Sequence, residues 1–262
     1  MSPALRNNVR VFGSGERVMM FAHGYGCDQT MWRYVVPHFQ DRFRIVLFDH
    51  VGAGASHIFA YSPTKYGTLD GYAQDLVEIA EDLDLSDVIL VGHSVSAMIG
   101  ALASIKAPTR FGKLVMVGPS PRYIDDDAYR GGFSQMQIAE LLDFLSINYQ
   151  GWAVATAPVI MGNPDRPELG IELTDSFCRA DPDIAKDFAR VTFMSDNRED
   201  LPRVAVPTLV LQCSEDIIAP IEVGEYVRDH IPNSQFVLLE ATGHCPNLSA
   251  PDEVVRAIRA FV

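Results

Sequence analysis

Short apolar runs alternate with stretches in which apolar positions recur every three to four residues. The runs at residues 17–22, 43–49, 87–92, 113–118, 206–213 and 235–240 predict strands, and 9–12 predicts an antiparallel strand at one edge. Helical periodicity occupies 31–39, 68–83, 95–105, 221–231 and 252–262. Within 68–83, Tyr72, Leu76, Ile79, Ala80 and Leu83 share one face, whereas Asp75, Glu78, Glu81 and Asp82 fall on the other. Strands that alternate with helices predict an α/β chain: a mostly parallel sheet with helices on both faces.

The alternation stops at residues 121–194, where four helices are expected over 135–149, 152–161, 168–178 and 182–194. Breaks fall at Gly151, at Gly162-Asn163-Pro164 and at Asp181-Pro182. No linker-like composition flanks this stretch, which speaks against a separate helical domain. The expectation is a core of residues 1–120 and 195–262 with an inserted helical cap, 121–194. The cap should sit over the carboxyl ends of the strands, where open α/β sheets bind their ligands.

With 262 residues, 48% of them hydrophobic, the chain can bury a substantial core. No apolar window is long enough to span a membrane. The segment Met-Ser-Pro-Ala-Leu-Arg-Asn-Asn has no apolar signal-peptide core, so a cytoplasmic location is expected. A net charge of −13, with acids spread along the chain, argues against nucleic acid as a partner. Cys27, Cys178, Cys213 and Cys245 show neither C-x-x-C spacing nor a ligand cluster, as free thiols in a reducing compartment would. No metal motif occurs, and Asp49 to Ser56, although glycine-rich, fails the dinucleotide fingerprint; no cofactor is expected. That segment reads as a turn in which Asp49 bonds nearby backbone N–H groups.

The chemistry centres on Gly92-His93-Ser94-Val95-Ser96, between the strand 87–92 and the helix 95–105. A serine on such a turn is a nucleophile elbow, in which a strained backbone lifts the hydroxyl above the sheet. Ser96 stands where a second glycine is commonest, and its small size keeps the helix close. A serine hydroxyl needs a base, and His244 follows the last strand in Ala241-Thr242-Gly243-His244-Cys245-Pro246. Asp216, after the strand 206–213, would orient the imidazole, with Glu215 as the competing acid. The order Ser94, Asp216, His244 suits this architecture. The oxyanion donors expected are the Val95 N–H and that of Tyr25, in the loop His23-Gly24-Tyr25-Gly26. Cap aromatics predict a dry pocket for a small hydrophobic ligand, with Phe133, Trp152, Phe177 and Phe193 as its lining.

These features together resemble the α/β-hydrolase family, and within it the bacterial stress-response regulator RsbQ and the plant strigolactone and karrikin receptors. The resemblance runs through His23 to Trp32, Gly92 to Gly100, Val117 to Tyr123, Gly131 to Phe133, Asn148 to Ala153, Ser195 to Arg198 and Leu211 to Pro220. It implies an α/β-hydrolase fold with a four-helix lid, a Ser94/Asp216/His244 triad and a hydrophobic cavity. It also implies serine hydrolysis of a small hydrophobic ester or butenolide-like lactone, coupled to signalling. A phosphatase or other signalling protein is the partner implied. The alternative is a ligand-responsive regulatory module in which hydrolysis is slow or incidental. Where those proteins carry phenylalanine after the His-Gly pair, this chain has Tyr25, whose hydroxyl adds a polar contact.

Overall fold

The computed structural model describes residues 1–262. Its sheet has seven strands: β1 (Arg10–Phe12), β2 (Val18–Ala22), β3 (Arg44–Leu47), β4 (Val88–His93), β5 (Phe111–Val117), β6 (Thr208–Glu215) and β7 (Ser234–Thr242). Their spatial order is β1-β3-β2-β4-β5-β6-β7. Only β1 runs antiparallel, pairing Val11 with Val46, and every other neighbour is parallel. Every residue of β2 and β4 is buried, as expected of central strands covered on both faces. The fold is therefore the α/β-hydrolase arrangement that the sequence predicts.

The helices are α1 (Pro3–Arg6), α2 (Leu69–Asp82), α3 (Val95–Lys106), α4 (Gln135–Ile147), α5 (Tyr149–Met161), α6 (Pro167–Arg179), α7 (Pro182–Phe193), α8 (Ile221–His230), α9 (Pro246–Ser249) and α10 (Pro251–Phe261). Helices α4 to α7 form the insertion between β5 and β6. Ser134 and Gln137 close a capping box at the start of α4, and Gly162 ends α5 in the left-handed conformation. The expected break at Gly151 does not occur. Asn148 caps α5 through a bond from the Gly151 N–H (2.9 Å), so the glycine lies within the first turn. The helix predicted at 31–39 is instead two short 3₁₀ turns, Gln29–Trp32 and Val36–His38, because Pro37 supplies no N–H to continue it.

The insertion lies over the loops that leave the carboxyl ends of the strands. Phe177 packs on the backbone at Gly26, after β2, and Ile184 on that at Gly52, after β3. No helix is long and apolar enough to cross a membrane.

One acid departs from the helical-wheel expectation. Asp75 belongs to the charged face of α2 yet is fully buried, because the N-terminal segment folds across that face. It pairs with Arg6 (2.9 Å) and Lys65 (2.7 Å), and it accepts bonds from Tyr66 (2.9 Å) and Asn7 (3.3 Å). Removing one partner of such a pair leaves the others desolvated and uncompensated. Asp75→Ala is expected to lower stability by about 3 kcal/mol in urea denaturation, since both cations retain some exposure.

Candidate active site

The turn from β4 into α3 fixes Ser94 at φ 57° and ψ −124°, a region that non-glycine residues avoid. Two backbone bonds hold it there: the Ser94 N–H donates to Val117 (2.8 Å), and Ala97 donates to the Ser94 carbonyl (2.9 Å). A Cβ at position 92 would strike the Ser96 carbonyl, which explains the glycine before His93.

Ser94 comes within 2.7 Å of His244 Nε2, and His244 Nδ1 lies 2.7 Å from Asp216 Oδ2. The carboxylate can only accept, so Nδ1 carries the proton and Nε2 offers its lone pair to the serine hydroxyl. The other oxygen of Asp216 accepts from the Ile218 (2.8 Å) and Ala219 (3.1 Å) amides, so both carboxylate oxygens have partners. Glu215, the competing acid, points to solvent. The three residues are 5%, 5% and 8% exposed for Ser94, His244 and Asp216, so water reaches them poorly.

The His244 loop is anchored from both sides. Gly243 donates to Glu215 at the end of β6 (2.7 Å), and His244 donates through its backbone to Ile160 in α5 (2.9 Å). His93 Nε2 donates to the His244 carbonyl (2.7 Å), tying the elbow to the same loop. This bond leaves His93 Nδ1 without a partner.

Val95 opens α3, so its amide lacks the carbonyl one turn earlier that later helix residues use. The Tyr25 N–H likewise has no hydrogen-bond partner in the protein. Both expected oxyanion donors are thus uncommitted. Tyr123, absent from the sequence-predicted site, is buried with its hydroxyl beside Ser94, and burial raises its pKa well above the usual phenol value. Position alone gave no sign of this, because Tyr123 lies in an irregular segment beyond β5.

The cap aromatics gather around Tyr25. Its ring meets Trp152 (6.1 Å between centroids), Phe177 (5.8 Å), Phe188 (5.8 Å) and Phe193 (6.4 Å). Three of the four predicted lining residues join this cluster. Phe133 makes no ring contact with Tyr25; its backbone pairs with Tyr123 and Asp125 in the segment before α4, and its half-buried side chain packs against the core. Phe188, absent from the sequence-predicted lining, joins the cluster and stacks on Tyr72 (4.4 Å).

Ser96 does more than stay small. Its hydroxyl donates to the His23 carbonyl and so can only accept from His50 Nε2, at 2.8 Å. Asp49 bonds backbone N–H groups as expected, accepting from Gln29 (2.9 Å) and Ala55 (2.9 Å). All four cysteines are free thiols. No group of three or more His, Cys, Asp or Glu side chains is placed to hold a metal ion.

Residues 19–257 match the alpha/beta hydrolase family. The chain belongs to that family. Among its relatives, Karrikin insensitive 2 receptor CA of Petunia hybrida is 40% identical over 95% of this chain and 93% of its own. Strigolactone esterase D14 of Arabidopsis thaliana is also 40% identical, over 96% of this chain and 94% of its own. A solved hydrolase from Oleispira antarctica superposes with a TM-score of 0.97 at 40% identity, covering 99% of this chain and 95% of the other. This alpha/beta hydrolase thus resembles the plant receptors along nearly its whole length, insertion included.

Burial holds His23, His50 and His93 below the ordinary histidine pKa, His93 down to about 3. The unfolded chain regains values near 6.5, so below that pH it binds protons that the folded state refuses. Stability should therefore fall as pH drops from about 7 to about 5, by up to roughly 1.4 kcal/mol per pH unit for each histidine. Denaturation midpoints across this window would show the slope, and His93→Gln should make it shallower.

Proposed function

We propose that this hydrolase cleaves a small hydrophobic ester or butenolide-like lactone with Ser94 as nucleophile, His244 as base and Asp216 as its orienting acid. The observation that carries the reading is the pair of 2.7 Å contacts aligning Ser94, His244 and Asp216 in a nearly dry site. As Ser94 Oγ attacks the carbonyl carbon, its proton passes to His244 Nε2. Negative charge gathers on the former carbonyl oxygen, where the Val95 and Tyr25 N–H groups would receive it. His244 then returns the proton to the leaving oxygen. Water, deprotonated by the same imidazole, releases the acyl group from Ser94. For a lactone the leaving oxygen stays tethered to the acyl group throughout, and a single ring-opened acid departs in the second step. The aromatic cluster around Tyr25 supports an apolar substrate, and the names of the 40% identical receptors support a butenolide-type one.

A coupling to signalling is supported by one connection. The backbone of His244 is bonded to Ile160 in α5, so α5 cannot move without disturbing the base. The same helix lines, with α6, an outward hollow of about 660 Å³ that includes Val154, Pro158, Val159 and Ile171. Three of these are exposed apolar side chains (Val154, Val159 and Ile171), a surface that a phosphatase or other signalling protein would cover. This favours, as the second reading, a regulatory module in which hydrolysis is slow and ligand-driven movement of the insertion is the output.

Ser94→Ala should reduce cleavage of a chromogenic ester by at least about 10³-fold with the circular dichroism spectrum unchanged. Asp216→Asn should reduce kcat by about 10⁴-fold, the loss seen when the analogous orienting acid of a serine protease is changed. A candidate butenolide that raises the melting temperature of Ser94→Ala would support ligand sensing without turnover. Unchanged ester cleavage by Ser94→Ala would refute the assignment of the nucleophile.

A further inference from the structure

Beside Tyr25 lies a small hollow of about 20 Å³, bordered by Tyr25, His50, Ile184, Ala185 and Phe188. That is room for one hydroxyl-sized group. Its side chains offer no free donor. The Tyr25 hydroxyl has spent its only hydrogen on the Ala185 carbonyl in α7 (3.1 Å). His50 has spent its one ring hydrogen, on Nε2, in the bond to Ser96, and its buried Nδ1 is left without a partner. Burial keeps that ring neutral, so Nδ1 is a lone pair and not a second N–H. Apolar side chains, among them Val51, Ile184 and Phe188, make up much of the rest of the hollow, and the Tyr25 ring itself packs against Trp152, Phe177 and Phe193. Acceptors gathered in a dry, apolar place are unsatisfied until a donor arrives.

We infer that Tyr25 and His50 form a specificity subsite for an uncharged hydrogen-bond donor, a hydroxyl or amide N–H, carried by the substrate at the end remote from its scissile carbonyl. The inference rests on the serine-ester reading of the site, which sets the carbonyl at Ser94 and the Tyr25 N–H. The remainder of the acyl group then extends along the Tyr25 ring toward its hydroxyl. A phenylalanine at position 25 would keep the ring and remove one of the two acceptors.

The test uses para-nitrophenyl esters of straight-chain acids, each paired with its ω-hydroxy counterpart. At the chain length that spans the distance, the wild-type enzyme should favour the hydroxy ester about tenfold in kcat/KM, a difference of about 1.4 kcal/mol. The preference should reside in KM, because the contact exists equally in ground and transition states. In Tyr25→Phe the ratio between paired esters should fall to about threefold or less, whatever happens to the absolute rates. If that variant does not fold, melting shifts of Ser94→Ala with the paired ω-hydroxy and plain acids give the same comparison. Equal handling of both members at every chain length would overturn the subsite, leaving a hollow that holds only water, while the cleavage itself would still uphold the nucleophile. No cleavage of any ester by the wild type would overturn the hydrolytic reading and the subsite with it.

Discussion

The bond between Asp216 and the Nδ1–H of His244 is the interaction on which the rest depends. An imidazole free to rotate, or carrying its proton on the other nitrogen, could not accept from Ser94. The carboxylate decides both matters at once, and it can do so only because it is itself held by two backbone amides after β6. Burying a carboxylate costs several kcal/mol unless its lone pairs are occupied, and here they are. The strand ends supply that occupancy. β4, β6 and β7 all lie within two positions of β5 in the sheet, so their carboxyl-end loops converge without any long reach. The strained backbone at Ser94, a cost of about 1–3 kcal/mol, is tolerated because Val117 and Ala97 fix it from neighbouring elements.

A second consequence concerns the insertion. Its helices are not joined to the core by apolar packing alone. His244 bonds to α5, the Tyr25 hydroxyl to α7, and Ser176 in α6 to the Gly26 carbonyl (2.9 Å). Each such bond contributes about 0.5–1.5 kcal/mol, and each aromatic contact of Tyr25 a similar amount. No single tie is strong, yet together they hold the insertion against the core at three of its helices. The entrance and exit of the insertion are tied to each other as well, where Arg122 and Arg198 share Asp196 (2.9 and 2.7 Å).

The parts of this arrangement written in local pattern were readable from the chain. Strand positions, the interruption by helices, the elbow and the order of serine, acid and histidine all depend on residues close together in sequence. What the chain concealed depends on pairings across it. Asp75 looked like a solvated acid because α2 alone cannot show that Arg6 and Asn7 fold over it. Gly151 is the local exception: a glycine reads as a stop by type, yet its N–H donates to the Asn148 side chain three residues earlier and so opens α5. Phe188 looks like any other cap aromatic until the fold brings it to Tyr25 and Tyr72. The size of Ser96 is plain in the chain, whereas its hydroxyl orders two histidines from different loops. Tyr123 reaches Ser94 from an irregular segment that no periodicity describes.

These same long-range ties bear on why an enzyme site would sit beneath so tight a cover. Closure that keeps Ser94 at 5% exposure strengthens every charge interaction in the site but places a conformational step before and after each reaction. For an enzyme valued for flux that step is a handicap. For one valued for its conformational response it would be the useful part, if ligand entry disturbed the ties at Tyr25 and Ile160. Under the proposed reading, chemistry at Ser94 would then end the occupancy that binding began. On this view slow turnover and a coupled lid are two expressions of one constraint: the base and the cover share a hydrogen bond, so neither can be optimised for speed without loosening the other.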